Sequence, residues 1–302
     1  IKQSFLSIIK QSSVKIIRGQ AISLITADDA CWGACILTKS HEIVQINAKS
    51  TILATGGGAG IFMDHFVDDD AVGDGYALAH RAGAELTNLE FIQFILGLKR
   101  DGLRLFLPLP DLDKRRMIRD SEGHDLLEEH MPDPKIRAKA VDERQRHVPF
   151  SCRDSSYLVD IAVAQAHKEG RKVFWGGGEP NDCPEVAHFS HAFNGGVKIN
   201  EIAESTIPGL FAAGEAAAGP HGADRIGGCM MSATQVFGER AGRFGALRAN
   251  TINILPDIKD IPEDIKRVKC QRGFKDQVKR LNHIKTEAKD IISRNLMVLR
   301  DE

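Results

Sequence analysis

Apolar residues at positions 1, 5, 8 and 9 recur at helical spacing, so residues 1–14 read as a short amphipathic helix. Residues 14–17 then read as a strand. Residues 21–25, 31–39 and 41–46 alternate apolar and polar positions, which predicts a strand and a hairpin, with Asp28-Asp29 and Lys39-Ser40 as turns. Cys31 and Cys35 fall within this pattern as strand packing. Residues 50–54 form a buried-strand pattern that runs straight into Gly56, Gly57 and Gly58. Residues 72–76 open a helical pattern that reaches Ala84. Residues 88–97 alternate again, with Gln93 as a polar group between apolar neighbours, expected to be partly buried and to face a cavity.

From about residue 99 to 149 the chain becomes charged, with Arg115-Arg116, Glu128-Glu129 and a Pro132-Asp133-Pro134 turn. It reads either as a solvated excursion or as the helical part of an inserted unit. A strong helix follows over 156–169, with Ser151 or Ser155 as its cap. Residues 173–175 are a short strand. Residues 209–215 are a buried strand entering a glycine-rich loop, which passes through 221–228 into a helix reaching Asn250. Residues 251–262 carry two prolines and read as a linker, and the remainder is charged and helical.

A chain of 302 residues is long enough for two domains and a sizeable core. Hydrophobic content of 42% and charged content of 27% are those of a soluble globular protein. The net charge of −1 argues against a general nucleic-acid surface. No apolar run approaches the roughly 20 residues of a membrane helix. Six cysteines include no C-x-x-C pair, so a zinc ribbon or an internal iron–sulfur cluster is not expected, and scattered thiols suggest a reducing compartment. The first residue is not Met and lies inside a helical pattern, so an N-terminal segment of the same protein is expected to precede it, with any targeting information.

Taken one at a time, the polar candidates have two readings each. The glycine triplet is either a tight turn or a place where the backbone approaches a ligand. Asp74 either caps its helix or reaches a ribityl or pyrophosphate group. Arg153 opposes the macrodipole of the helix behind it; either Asp154 offsets this or the side chain serves a ligand. His188 and His191 lack further ligands at metal spacing, so no metal is expected; His191 is either an ordinary loop histidine or a contact to an anion. The 209–250 stretch, strand to glycine loop to helix, is the arrangement that an open α/β sheet uses to bring backbone N–H groups against a cofactor.

The order of these pieces resembles the flavoprotein subunits of the fumarate reductase, succinate dehydrogenase and L-aspartate oxidase family. The matching segments are ATGGGAG (54–60), GDGYALAHRAGAEL (73–86), EFIQF (90–94), CRD (152–154), HAFNGGV (191–197), GLFAAGE (209–215), HGADRIGG (221–228) and QVFGERAG (235–242). The resemblance implies an α/β fold: an FAD-binding Rossmann-like domain, incomplete here, at 1–90 and 191–250. A capping domain of α+β type is inserted at 91–190, and 251–302 form a linker and the start of a helical domain. It implies FAD as cofactor, contacted by Ala54, Thr55, Gly56, Gly57, Asp74, Glu215 and the helix start at Cys229, Met230 and Met231. It implies hydride exchange between the flavin and a C–C bond of a small carboxylic acid. Arg153 would be proton donor or acceptor, relayed by Asp154 or by acidic residues of the cap, and His191 and Arg225 would hold substrate carboxylate. An electron-transfer partner (a quinone, an iron–sulfur subunit or another carrier) follows, as does a cytoplasmic location or one on the cytoplasmic face of a membrane.

The match departs from the family pattern in four places. Ile95-Leu96-Gly97 stands where relatives carry His-Pro-Thr after EF-x-QF, so one substrate-binding histidine is missing. Leu107-Pro108-Leu109-Pro110 and a basic run stand where an acidic, glycine-rich loop is usual. Cys229-Met230-Met231 replaces Asn-Ser-Leu, and the GxGxxG pyrophosphate unit is not in the chain. A larger or less charged acid than a C4 dicarboxylate is therefore compatible. The alternatives are the same fold with another chemistry, as in amino-acid oxidation or an adenylylsulfate-reductase-like reaction, or a non-catalytic flavin protein of electron transfer.

Overall fold

The computed structural model describes residues 2–107, 118–179, 182–258, 265 and 275–300. In chain order the helices are α1 (Lys2–Gln11), α2 (Asp74–Arg81), α3 (Leu126–His130), α4 (Pro134–Arg144), α5 (Tyr157–Lys168), α6 (Cys229–Thr251) and α7 (Lys275–Asn295). The strands are β1 (Gly19–Ala27), β2 (Ala30–Thr38), β3 (Ile43–Asn47), β4 (Thr51–Leu53), β5 (Leu86–Thr87), β6 (Ile92–Arg100) and β7 (Leu103–Phe106). They continue with β8 (Ile118–Asp120), β9 (Val173–Trp175), β10 (Glu185–Phe193), β11 (Gly196–Lys198), β12 (Leu210–Ala212) and β13 (Ala217–Ala218). The mixture is α/β. Among the described residues no helix is long and apolar enough to cross a membrane.

β1, β2 and β3 form an antiparallel meander. Asp28 and Asp29 both adopt positive φ, 48° and 57°, which closes β1 onto β2 through a two-residue turn matched to strand twist. Cys31 and Cys35 are fully buried, as strand packing predicts. β4 pairs in parallel with β12, so two segments about 160 residues apart in sequence lie side by side and end at the same edge. Leu53, Leu78, Val197, Leu210 and Ala212 share one core beneath them.

A second body is built on the sheet β7-β6-β10-β9-β8, all antiparallel, with α3, α4 and α5 against it. Its core joins Leu96, Leu98, Leu126, Val159, Val163 and Val186. Much of the charged stretch after residue 99 is thus ordered structure, because its sparse apolar residues Ile118, Leu126, Leu127 and Ala140 all turn inward. β6 and β10 run on from this body to the first one, and Phe62, Tyr76, Phe94 and Phe193 pack where the two meet. α7 closes over that cluster: Ile292 packs on it, and the Ser293 hydroxyl accepts from the Met63 amide at 2.9 Å.

Four sequence expectations change. Residues 14–17 form no strand; Val14 and Ile16 are 61% and 62% exposed, because no described strand lies alongside to bury them. Asp74 does not cap α2: Gly73 is the N-cap, and Asp74 is the first helical residue, exposed and bonded to no end N–H. Neither Ser151 nor Ser155 caps α5. Asp154 Oδ1 accepts from the Ser156 amide at 3.0 Å instead, since a turn at 154–156 precedes the helix. His188 and His191 lie in strand β10 rather than in a loop. Pro108–Pro110, Arg115-Arg116, Pro262 and residues 266–274 lie outside the described residues.

Candidate functional site

The parallel pair β4–β12 delivers two glycine turns to one edge. After β4 the chain passes Ala54 and Thr55, both exposed, and turns at Gly56 with φ +75°. A Cβ on Gly57 would overlap the Glu215 carboxylate, and one on Gly75 would overlap the Thr55 hydroxyl. These glycines are therefore required by close approach of backbone to side chain. Glu215 follows β12 and is half-buried. Its Oε1 accepts from the Phe193 amide at 2.9 Å, and its carbonyl accepts from the Tyr76 hydroxyl at 2.8 Å. Burial raises its carboxyl above the ordinary range, against the Phe193 bond and the charge of Arg225. The fold thus gathers Thr55, Gly57, α2, the Phe193–Gly196 strand end and Glu215 into one cradle. Asn194, in that strand end, is 1% exposed, and neither end of its amide has a partner. Such a group costs roughly 1–3 kcal/mol unless something fills its bonds.

Gly228, at φ +84°, is the N-cap of α6. The first turn of this 23-residue helix holds no acidic side chain and no side-chain cap, so its positive end is uncompensated. Cys229 and Met230 are partly buried there, and Met231 is 67% exposed. A cavity of about 420 Å³ lies beside this helix end, lined by His221, Asp224, Arg225, Cys229, Val236 and Phe237 among others.

Arg225 is buried, 7% exposed. Its Nη2 donates to Gln93 Oε1, and Gln93 Nε2 donates back to the Arg225 carbonyl at 3.1 Å. This reciprocal pair locks the guanidinium and leaves Nε buried with no partner. His191 Nδ1 and His221 Nε2 are also buried without partners. Burial first, and the nearby Arg225 charge second, lower both imidazoles below their usual value. Two imidazoles with an unfilled nitrogen thus lie within the electrostatic reach of a fixed cation that itself has a free N–H. Gln93 was visible in the alternation of β6; its task as the clamp on Arg225 was not, because the two are 132 residues apart. His221 carried no signal beyond its place in the glycine loop.

Arg153 stands next to this group. Its Nη2 donates to the Asp224 carbonyl at 2.7 Å and to Asp224 Oδ1 at 3.0 Å. Asp224 Oδ2 accepts from the Ser151 hydroxyl at 2.6 Å and from the Cys152 amide at 3.2 Å. One carboxylate thus ties the segment 151–153 of the second body to the loop of the first. Asp154, named from the sequence as a relay for Arg153, accepts from Ser156 and lies near His147; the carboxylate bonded to Arg153 is Asp224. Among the described residues no group of His, Cys, Asp and Glu could hold a metal ion.

Residues 10–99 and 114–231 match the family model described as FAD binding domain. The chain is 33% identical over 284 residues to an uncharacterised FAD-dependent oxidoreductase of Methanocaldococcus jannaschii, covering 82% of this chain and 49% of that protein. It is 31% identical over 243 residues to one of the subunits of the fumarate reductase (CoM/CoB) of Methanothermobacter marburgensis, covering 75% and 44%. It spans about half the length of these relatives. Among solved structures, a quinol-fumarate reductase chain superposes with a TM-score of 0.68 at 20% identity, over 93% of this chain and 54% of that one, a likeness of fold.

Proposed function

The chain belongs to the FAD-binding domain family, and from that premise we propose that it holds FAD and substrate in an oxidoreductase that exchanges hydride and proton across a C–C bond of a carboxylic acid. FAD supplies the two-electron hydride chemistry when bound. The residues present fit it: the turn at Gly56 faces open space, Gly57 and Gly75 let Glu215 and Thr55 close onto the backbone beside it, and the buried Asn194 amide has a donor and an acceptor to fill. Glu215 would hold hydroxyls of the cofactor, Ala54, Thr55 and Asp74 would flank it, and the α6 N-terminus at Cys229, Met230 and Met231 would face negative charge.

The observation that carries the reading is the juxtaposition of Arg153, Asp224 and Arg225. Arg225, with His191 and His221 turned to it, binds the substrate carboxylate through its free edge; desolvation makes such a contact strong and directional. Arg153 holds a proton beside the bound acid. Its Asp224 hydrogen bond favours the charged form, so it moves a proton only as charge develops on the carbon it faces. Asp224 keeps the guanidinium aimed there, and the five-stranded body acts as the cap that excludes water. The longer protein is proposed to exchange electrons with a separate carrier, either a quinone or an iron–sulfur subunit.

The full-length protein, photoreduced without oxygen, is expected to be reoxidised by an unsaturated carboxylic acid. Failure with every acid in a broad panel would sink the reading. Gly57→Ala should weaken FAD binding at least about tenfold, since the new methyl displaces Glu215; fluorescence titration of the apoprotein measures this.

A pH dependence follows as well. His191 and His221 titrate below their ordinary value in the free protein. A bound carboxylate offsets the Arg225 charge and raises both. The complex therefore binds more protons than the free protein, and affinity should rise as pH falls from about 8 towards about 6, across the range in which histidine titrates. Calorimetry in two buffers of different ionisation enthalpy should register net proton uptake; net release contradicts it.

A further inference from the structure

The charges around the clamp limit what the site can hold. Arg225 is the cation whose charge reaches His191 and His221, and Gln93, which is uncharged, fills one end of its guanidinium. The second cation, Arg153, already has its counter-charge in Asp224. That carboxylate cannot swing aside, because its other oxygen is bonded to the Ser151 hydroxyl and the Cys152 amide. Glu215 adds a further acidic group within the field of Arg225. Among the described residues of this group, Arg225 is then the one permanently charged cation not ion-paired to a carboxylate.

The strand that carries Gln93 continues with apolar residues. Side chains alternate along β6, so Ile95 follows Gln93 on the same face. Ile95 is 2% exposed and stands opposite Phe189 of β10, which stacks on Phe66 at 4.3 Å. Further along that face, Lys99 is paired with Asp64 at 2.7 Å and Glu185 at 3.5 Å, so its charge is spoken for. A second carboxylate against this strand would be desolvated without a free cation among the described residues, which is costly.

We infer that the substrate is an α,β-unsaturated monocarboxylic acid (or its saturated counterpart), with its one carboxylate on Arg225, His191 and His221 and an uncharged, apolar far end. This rests on the hydride-exchange reading above. Saturating the double bond breaks its π bond and forms two C–H bonds. The hydride comes from the reduced cofactor. The proton leaves Arg153 and is replaced from water by way of the partly exposed Asp224.

The test uses the full-length, FAD-loaded protein with crotonate, trans-2-hexenoate and cinnamate against fumarate. Calorimetric Kd values with oxidised protein, and reoxidation rates after photoreduction, are both read. At least one monoacid should bind roughly tenfold more tightly than fumarate, the scale of one unmatched charge, and should reoxidise the flavin faster. Fumarate outperforming all three monoacids in both readouts overturns the inference while leaving the proposed function standing. No binding and no reoxidation by any acid overturns both. A second arm uses Asp224→Asn, which frees the charge of Arg153. The Kd ratio of fumarate to the best monoacid should fall by roughly tenfold. A ratio does not respond to a loss of folded protein, so an unchanged ratio overturns the charge argument.

Discussion

Arg153→Lys is expected to slow reoxidation of the reduced flavin by substrate by about a thousandfold, within the range that loss of a positioned proton donor produces. FAD should stay bound, because Arg153 touches no part of the glycine cradle. The reason is geometric. One guanidinium nitrogen meets both the Asp224 carbonyl and its carboxylate, which sets the plane and direction of the whole group. An ammonium on a flexible stem keeps the charge and loses that orientation. Stopped-flow mixing of photoreduced protein with an acid active in the wild type is the measurement. Wild-type rates in the variant would mean that electrons pass through this chain without proton transfer from Arg153, the behaviour of a pure electron-transfer protein.

The largest stability effect is expected inside the five-stranded body. Arg144 and Asp160 are both fully buried and meet at 2.6 Å through Nε and 3.3 Å through Nη2. Burial alone would raise the Asp160 carboxyl. The Arg144 charge and a bond from His188 at 3.3 Å hold it below the usual range. Asp160→Ala strands a guanidinium in the core and should cost about 3–5 kcal/mol in urea unfolding. Arg144→Met combined with Asp160→Leu should recover most of that loss, because neither charge is then buried alone. A double variant no more stable than Asp160→Ala would show that the core needs the ion pair itself. Arg144 also donates to the carbonyls of His147 at 2.6 Å and Val148 at 3.1 Å, just before the segment that carries Arg153. Turnover should therefore remain impaired in the double variant even where stability returns.

The glycine turns, the strands that enter them and the helix behind residue 228 were legible because each is a local demand of the backbone. Gly56 turns the chain at φ +75°, a conformation that favours glycine whatever faces it, and alternation in β6 exposes Gln93 as the odd polar residue without knowledge of its partner. Asp224 was not legible as the partner of Arg153. It lies next to Arg225 in sequence and 71 residues from Arg153, and the more obvious carboxylate, Asp154, lies directly beside Arg153. Adjacent residues point apart, and the turn at 154–156 turns Asp154 back onto its own helix. The apolar run at 14–17 misled in the opposite sense, since strand-like residues need a neighbouring strand before they become a strand.

Local periodicity and backbone chemistry by themselves determined the α/β alternation, the glycine cradle and the list of candidate polar groups, since those depend on neighbours within a few residues. Only the tertiary structure decided which groups act together. The clamp of Gln93 on Arg225, the capture of Arg153 by Asp224 and the burial of Arg144 against Asp160 join positions 132, 71 and 16 residues apart. Electrostatic and hydrogen-bond energies fall off over a few ångströms of space, and separation along the chain does not enter them.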